Sequence, residues 1–221
     1  MRLMATRCAF APDEPGDLGG LVGVERLVAS PKDGSVPVRL EGIDAPELHY
    51  LGHEQPRGWR ALEVMLKEAG IAASREAVPG AIVASRCDPH GRVIAYVFRR
   101  GALDGEGRGG LSEREVGASV NAAMLEAGAA YALAYRSQPA AHRRVFREVA
   151  VRARAKGLGV WPLDRTERGV ALRSVRSFGP HGALVFPKLF RRCATYFLEE
   201  RRKSFSEWLA SSATTDDWVQ V

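Results

Sequence analysis

Two arginines, an aspartate and a glutamate are spaced in this chain as phosphodiester hydrolysis would need them. The stretch Arg39-Leu-Glu-Gly-Ile-Asp-Ala-Pro-Glu47 sets Arg39, Asp44 and Glu47 around the end of a short apolar run. Arg92 follows the turn Asp88-Pro-His-Gly91 and opens Val93-Ile-Ala-Tyr-Val-Phe98. Such hydrolysis needs a positioned water, cationic groups at the non-bridging oxygens, and donors that follow charge into a pentavalent transition state. Glu47 follows Pro46 just past a strand end, so a stiff segment carries its carboxylate. It is the candidate base that activates water. Arg39 alternates with Val38 and Leu40 and so points away from the face those two bury. A guanidinium there can fork onto two phosphate oxygens as lysine cannot. Structural ion pairs with Glu41 or Asp88 are compatible with that role. Asp44 is a hard-oxygen ligand of the kind calcium takes, and Pro46 biases Ala45 towards an extended form that presents its carbonyl as a second ligand.

The elements that must position these groups are short strands with helices set against them. Strand-like runs span 21–29, 36–43, 81–87 and 92–98, separated by Pro, Gly and Asp, with hairpin turns at Pro31-Lys-Asp-Gly-Ser35 and Asp88-Pro-His-Gly91. Leu62, Met65, Leu66 and Ala69 recur at helical spacing and mark an amphipathic helix between the second and third runs. The glycine-rich stretch 99–117 reads as a long flexible hairpin loop, and no phosphate-binding lysine motif completes its Gly-Glu-Gly-Arg-Gly-Gly110. A short helix over 120–127 ends at Gly128. A longer one runs from Pro139 to Lys156 with Val145, Val149 and Ala153 on one stripe. Its arginines, 143, 144, 147, 152 and 154, with Lys156, form a basic face suited to sequence-independent phosphate contacts.

From Gly20, through Gly42-Ile-Asp-Ala-Pro-Glu47, His90-Gly-Arg92 and Ser119-Val-Asn-Ala-Ala-Met-Leu-Glu-Ala-Gly128, to Lys156-Gly-Leu-Gly-Val-Trp161, the chain resembles the staphylococcal-type thermonuclease family. The resemblance implies an α+β fold: a five-stranded OB-type barrel with about three helices. It implies that Glu47 activates water and that Arg39 and Arg92 clamp the scissile phosphate, with Asp44 and the Ala45 carbonyl on a calcium ion. The family's Asp-Gly-Asp segment on the first strand is absent. Gapless counting puts Glu25 at that position, where it is either a calcium ligand or a strand glutamate facing solvent and paired with Arg26. Tyr135 stands near the family's nucleotide-contacting tyrosines, whereas Tyr131 suits the core. Substrates would be both DNA and RNA, without base readout, cleaved to a 5′-hydroxyl and a 3′-phosphate.

Composition agrees with a polyanion-binding globular protein. The 221 residues are 46% hydrophobic and 26% charged, with a formal charge of +6. Cys8, Cys87 and Cys193 are few, odd in number and far apart, which suggests free thiols. No window approaches the roughly twenty apolar residues of a membrane span. No convincing signal peptide opens the chain, so cytoplasmic is the default location and an organelle address stays open.

Three segments follow: a flexible lead-in over 1–19, the nuclease-like domain over 20–163, and a helical extension over 164–221 with an unstructured tail from Ser211. Within the extension, Pro187 to about Ala210 reads as one basic amphipathic helix. It could dock on its own domain, a protein partner or an anionic membrane surface, and docking on its own domain or a second subunit is preferred. The expected function is a calcium-dependent, sugar-nonspecific nuclease. The alternative is a catalytically weak or inactive barrel that binds nucleic acid or protein.

Overall fold

The computed structural model describes residues 9–10, 21–71, 77–103, 110–199, 203–211 and 218–219. β1 (Ala9–Phe10), β2 (Val36–Leu40), β5 (Val93–Arg99) and β4 (Gly80–Cys87) form a sheet in the order β1-β2-β5-β4. β2 and β5 run parallel, with Arg39 opposite Ile94, while β4 and β5 are antiparallel, with an irregularity between Ala84 and Arg86. β3 (Ile43–Asp44) pairs with β6 (Tyr131–Ala132), and β7 (Ala134–Tyr135) with β8 (Trp218–Val219). The fold is thus α+β, as expected, but its described strands make open sheets and not one closed five-stranded barrel.

β5 shows why this sheet is the centre of the molecule. Val93 and Ala95 face one way, onto Val36, Val38 and Cys87. Tyr96 and Phe98 join the other main cluster, with Ile43, Ala61, Met124, Leu125 and Phe146. A strand buried on both faces reads as a near-continuous apolar run, and this one does. Val38 is buried in the first cluster, whereas Leu40, at the end of β2, packs against the second.

Against that second cluster lie α1 (Gly58–Glu68), α2 (Glu113–Gly117), α3 (Val120–Glu126) and α4 (Ala140–Ala155). α3 starts where the Ser119 hydroxyl accepts from the Ala122 amide at 3.1 Å, and the chain leaves it through Gly128 at φ 63°. A Cβ on Gly128 would stand 2.5 Å from the Leu158 carbonyl oxygen, so glycine is required there twice over. Asn121, fully buried on α3, accepts from the Val97 amide and donates to the Glu41 and Ala95 carbonyls, which ties the helix to β5 and to the residue just past β2.

Several expectations are corrected. The first run is no strand: Val24–Arg26 is a 3-10 turn behind Gly23 at φ 78°, and Val22 and Val28 are 74% and 68% exposed. What pairing remains is one isolated parallel bridge between Val22 and Arg86, with the Val22 amide donating to the Ser85 carbonyl at 3.0 Å and the Cys87 amide to the Val22 carbonyl at 2.8 Å. Part of the glycine-rich loop is α2, begun by a Ser112/Glu115 capping box that the glycine count obscured and anchored by buried Val116. Residues 104–109 of that loop lie outside the described residues. The single C-terminal helix is two, α5 (Pro187–Glu199) and α6 (Phe205–Ser211). Trp218–Val219 and Ala9–Phe10 are strands within segments expected to lack structure; the rest of 1–19, with 212–217 and 220–221, lies outside the described residues.

The extension is packed onto the domain, which agrees with the preferred mode of docking. Phe190, Cys193, Phe178 and Val185 make a cluster with Tyr50 against it, and Leu184 joins Tyr131 and Val160. Within the extension, Arg165 donates its amide to the Leu184 carbonyl at 2.8 Å.

Candidate active site

The parallel pairing of β2 with β5 brings Arg39 and Arg92 together. Val38 stands opposite Val93, so Arg39 follows one partner and Arg92 precedes the other. Both guanidinium groups converge on Asp88, which is buried. Arg92 Nε donates to Asp88 Oδ2 at 2.7 Å and its Nη2 lies 2.6 Å from the same oxygen, while Arg39 Nη1 lies 3.9 Å away. Asp88 Oδ1 accepts from the His90 and Arg92 amides. Burial pushes the Asp88 carboxyl up, but the hydrogen bonds and charge of Arg92 outweigh it and hold the group below the ordinary carboxylate value. Gly91, at φ 74°, makes this turn possible: a Cβ would stand 2.4 Å from the Arg26 carbonyl oxygen.

Tyr135 completes this half of the site. Arg39 Nη2 donates to the Tyr135 hydroxyl at 2.5 Å, and the Arg39 guanidinium lies 5.4 Å from the ring centroid. The tyrosine offered as a nucleotide contact therefore touches an arginine expected to clamp the phosphate. Tyr131 is in the core, 4% exposed. His90 is exposed in the turn.

Asp44 and Glu47 form the other half. Asp44 lies on β3, whose partner residue is Tyr131. Glu47 is held through its backbone by Gln55: the Gln55 amide nitrogen donates to the Glu47 carbonyl at 2.7 Å, and Gln55 Oε1 accepts from the Glu47 amide at 3.0 Å. Gln55 Nε2 donates onward to the Val185 carbonyl at 2.8 Å. Against the Glu47 carbonyl a Cβ on Gly58 would come to 2.8 Å, so α1 begins in close contact with the Glu47 segment.

Both carboxylates are met by Arg191 of α5. Its Nη1 donates to Asp44 Oδ1 at 3.1 Å and its Nη2 to Asp44 Oδ2 at 2.9 Å, a two-pronged pair, and Nη1 also donates to Glu47 Oε1. The side chain is 25% exposed and that of Asp44 10%. Burial opposes the charge on Arg191, yet the two carboxylates prevail and raise its affinity for the proton.

This arrangement does not fit the calcium ion that the resemblance implies. Calcium needs six to eight oxygen ligands. Both Asp44 oxygens are engaged by a cationic donor, and Glu47 shares it. The Ala45 carbonyl alone would add little. Glu25 sits in the 3-10 turn with Arg26 Nε 3.4 Å from its Oε1, and its side chain is 68% exposed. The solvent-facing alternative describes it, although on a turn and not a strand. Among the described residues no cluster of three acidic, histidine or cysteine side chains could hold a metal.

Three residues escaped the site as read from sequence. Asp88 was a structural partner, not the bridge between two arginines. Gln55 carried no signal, lying in a Pro- and Gly-punctuated loop. Arg191 gave only the sign of its charge and the face of a helix. Glu41, behind the site, is buried with its carboxyl pushed up by desolvation that Arg86, 3.2 Å away, offsets only in part. On α4, Arg144 pairs with Glu113, and Arg154 with Glu167, while Arg147, Arg152 and Lys156 are exposed. No helix among the described residues is long and apolar enough to cross a membrane.

Residues 37–162 match the family model of the staphylococcal nuclease homologues. No curated protein matches the chain.

Proposed function

This chain belongs to the staphylococcal nuclease homologues, and on that footing we propose that it is a nuclease acting on both DNA and RNA through Glu47, Arg39 and Arg92. The observation that carries the reading is the convergence of Arg39 and Arg92 on buried Asp88. Two guanidinium groups held side by side by one carboxylate offer a row of N–H donors that matches the non-bridging oxygens of a phosphodiester. Structural ion pairing alone would need one arginine there.

Glu47, 24% exposed at its side chain, takes a proton from water, and the resulting hydroxide attacks phosphorus. Arg39 and Arg92 stabilise the charge that accumulates on the phosphorane-like transition state. Arg92 donates a hydrogen bond to the departing 5′-oxygen, which takes up a solvent proton and leaves a 3′-phosphate behind. Tyr135 fixes the Arg39 guanidinium and offers a ring face to a base, a contact that tolerates any sequence. No step runs through calcium, because Asp44 is already engaged.

The test is cleavage of single-stranded DNA and RNA by the full chain and by Glu47→Gln. Loss of the general base should lower the rate about 10²–10⁴-fold. A folded wild-type chain that cleaves no faster than Glu47→Gln would return the domain to the binding-module reading.

A further inference from the structure

We propose that Arg191 takes the place of a divalent cation at Asp44 and Glu47, so that this chain works as a metal-independent phosphodiesterase. The catalytic half of this statement rests on the nuclease reading; the binding half does not.

Position comes first. Arg191 places its guanidinium between the Asp44 and Glu47 carboxylates, on the aspartate that the resemblance assigns to the metal, donating to both groups through Nη1 and to Asp44 again through Nη2. Like a metal it supplies positive charge and fixed directions. Unlike a metal it offers donors and no open coordination position, and it repels a second cation.

Permanence comes second. Arg191 is not at the tip of a loose arm. One helical turn to either side, Pro187 and Ala194 are buried, and adjacent Phe190 is wholly buried among Phe178, Val185 and Cys193. The Tyr50 hydroxyl lies 3.1 Å from Thr195 Oγ1, and Gln55, the residue that holds Glu47, also binds the Val185 carbonyl. Moving α5 off the domain would expose that cluster and break the Gln55 bond, so α5 is part of the site and not a removable plug. The bidentate fork on Asp44 adds orientation that a simple counter-charge would lack.

Arg191 is a positioning residue in this scheme, acting on water through Glu47. It balances charge beside Asp44 and holds Glu47 Oε1, while Arg39 and Arg92 meet the phosphate.

The experiment uses the full chain and calcium alone as probe. Thermal unfolding of wild type in millimolar calcium and in chelator should superimpose, and single-stranded DNA cleavage should agree within about twofold between the two. Arg191→Met should lose about 100-fold in kcat with KM little changed, and Arg191→Lys should restore part of it. A rise in wild-type melting temperature with calcium that Asp44→Asn abolishes would overturn the proposal, and needs no arginine variant to fold. Calcium-stimulated cleavage by Arg191→Met that exceeds wild type would also overturn it, making Arg191 a block on a metal site. If the folded chain cleaves nothing under any condition, the nuclease reading fails, and the calcium titration still decides whether Arg191 holds the cation's place.

Discussion

Gln55 grips Glu47 from both sides of its peptide, donating its own amide to the Glu47 carbonyl at 2.7 Å and accepting the Glu47 amide on Oε1 at 3.0 Å. The candidate base is thereby fixed in a segment that has left β3 and belongs to no regular element. The same side chain reaches Val185 across 130 positions of sequence. A single buried side-chain amide therefore couples the Glu47 segment to the extension.

Gln55→Ala should weaken both at once. It strands the Glu47 amide and the Val185 carbonyl, at roughly 1–3 kcal/mol for each buried group left unpaired, so the loss should be on the order of 2–6 kcal/mol by denaturant unfolding. Gln55→Glu keeps the acceptor and loses the donor, and should fall between wild type and alanine in stability. Equal stabilities of all three chains would remove Gln55 from this role.

Asp88→Asn should disorient Arg92 and lower kcat about 100-fold, the scale seen when one transition-state donor is lost. The pH dependence has a definite sign. Since the folded-state carboxyl titrates below its ordinary value, near 3.9 for the unfolded chain, it adds stability at neutral pH. That stability is lost as pH falls below the ordinary value and through the folded one. The gap in melting temperature between wild type and Asp88→Asn should be open at pH 7 and close towards pH 3. A gap constant across that range would contradict the ion-pair account.

At Tyr135 two interactions can be separated. Tyr135→Phe removes the hydroxyl that accepts from Arg39 and keeps the ring beneath the guanidinium. A loss of about tenfold in kcat/KM, roughly 1.4 kcal/mol, is expected for the phenylalanine variant and more for alanine. Equal effects of the two substitutions would mean that the ring contributes nothing.

Exposed cations on α4 give a prediction about binding rather than chemistry. Replacing Arg147, Arg152 and Lys156 together by alanine should flatten the plot of log affinity against log salt for single-stranded DNA by about 2, at roughly 0.7 for each phosphate no longer neutralised. Arg144 and Arg154, engaged with Glu113 and Glu167, should change that slope less. An unchanged slope in the triple variant would place the nucleic-acid path on another face.

Residue order alone encodes what short spacing can carry. Arg39 to Glu47 lie within nine positions, the Asp88–Arg92 turn within five, and helical periods locate α3 and α4 to within a residue of their observed ends and mark the existence of α1, though not its start at Gly58. Backbone sterics and side-chain periodicity act over such distances, so residue types suffice. Which surfaces meet was settled only by packing. The run from Leu21 carried strand composition, yet Gly23 turned it and no partner buried its valines. Glu25 could be aligned with a ligand position by counting, but counting does not bring a side chain on a turn to Asp44. The basic face of α5 was legible, and its destination was not: Arg191 and Asp44 are 147 positions apart. A charge on a helix seeks any opposite charge, and only the packing of Phe190 and its neighbours against the domain selects these two carboxylates. That packing is non-local, and it turns a pattern that suggested a metal site into one already holding its own cation.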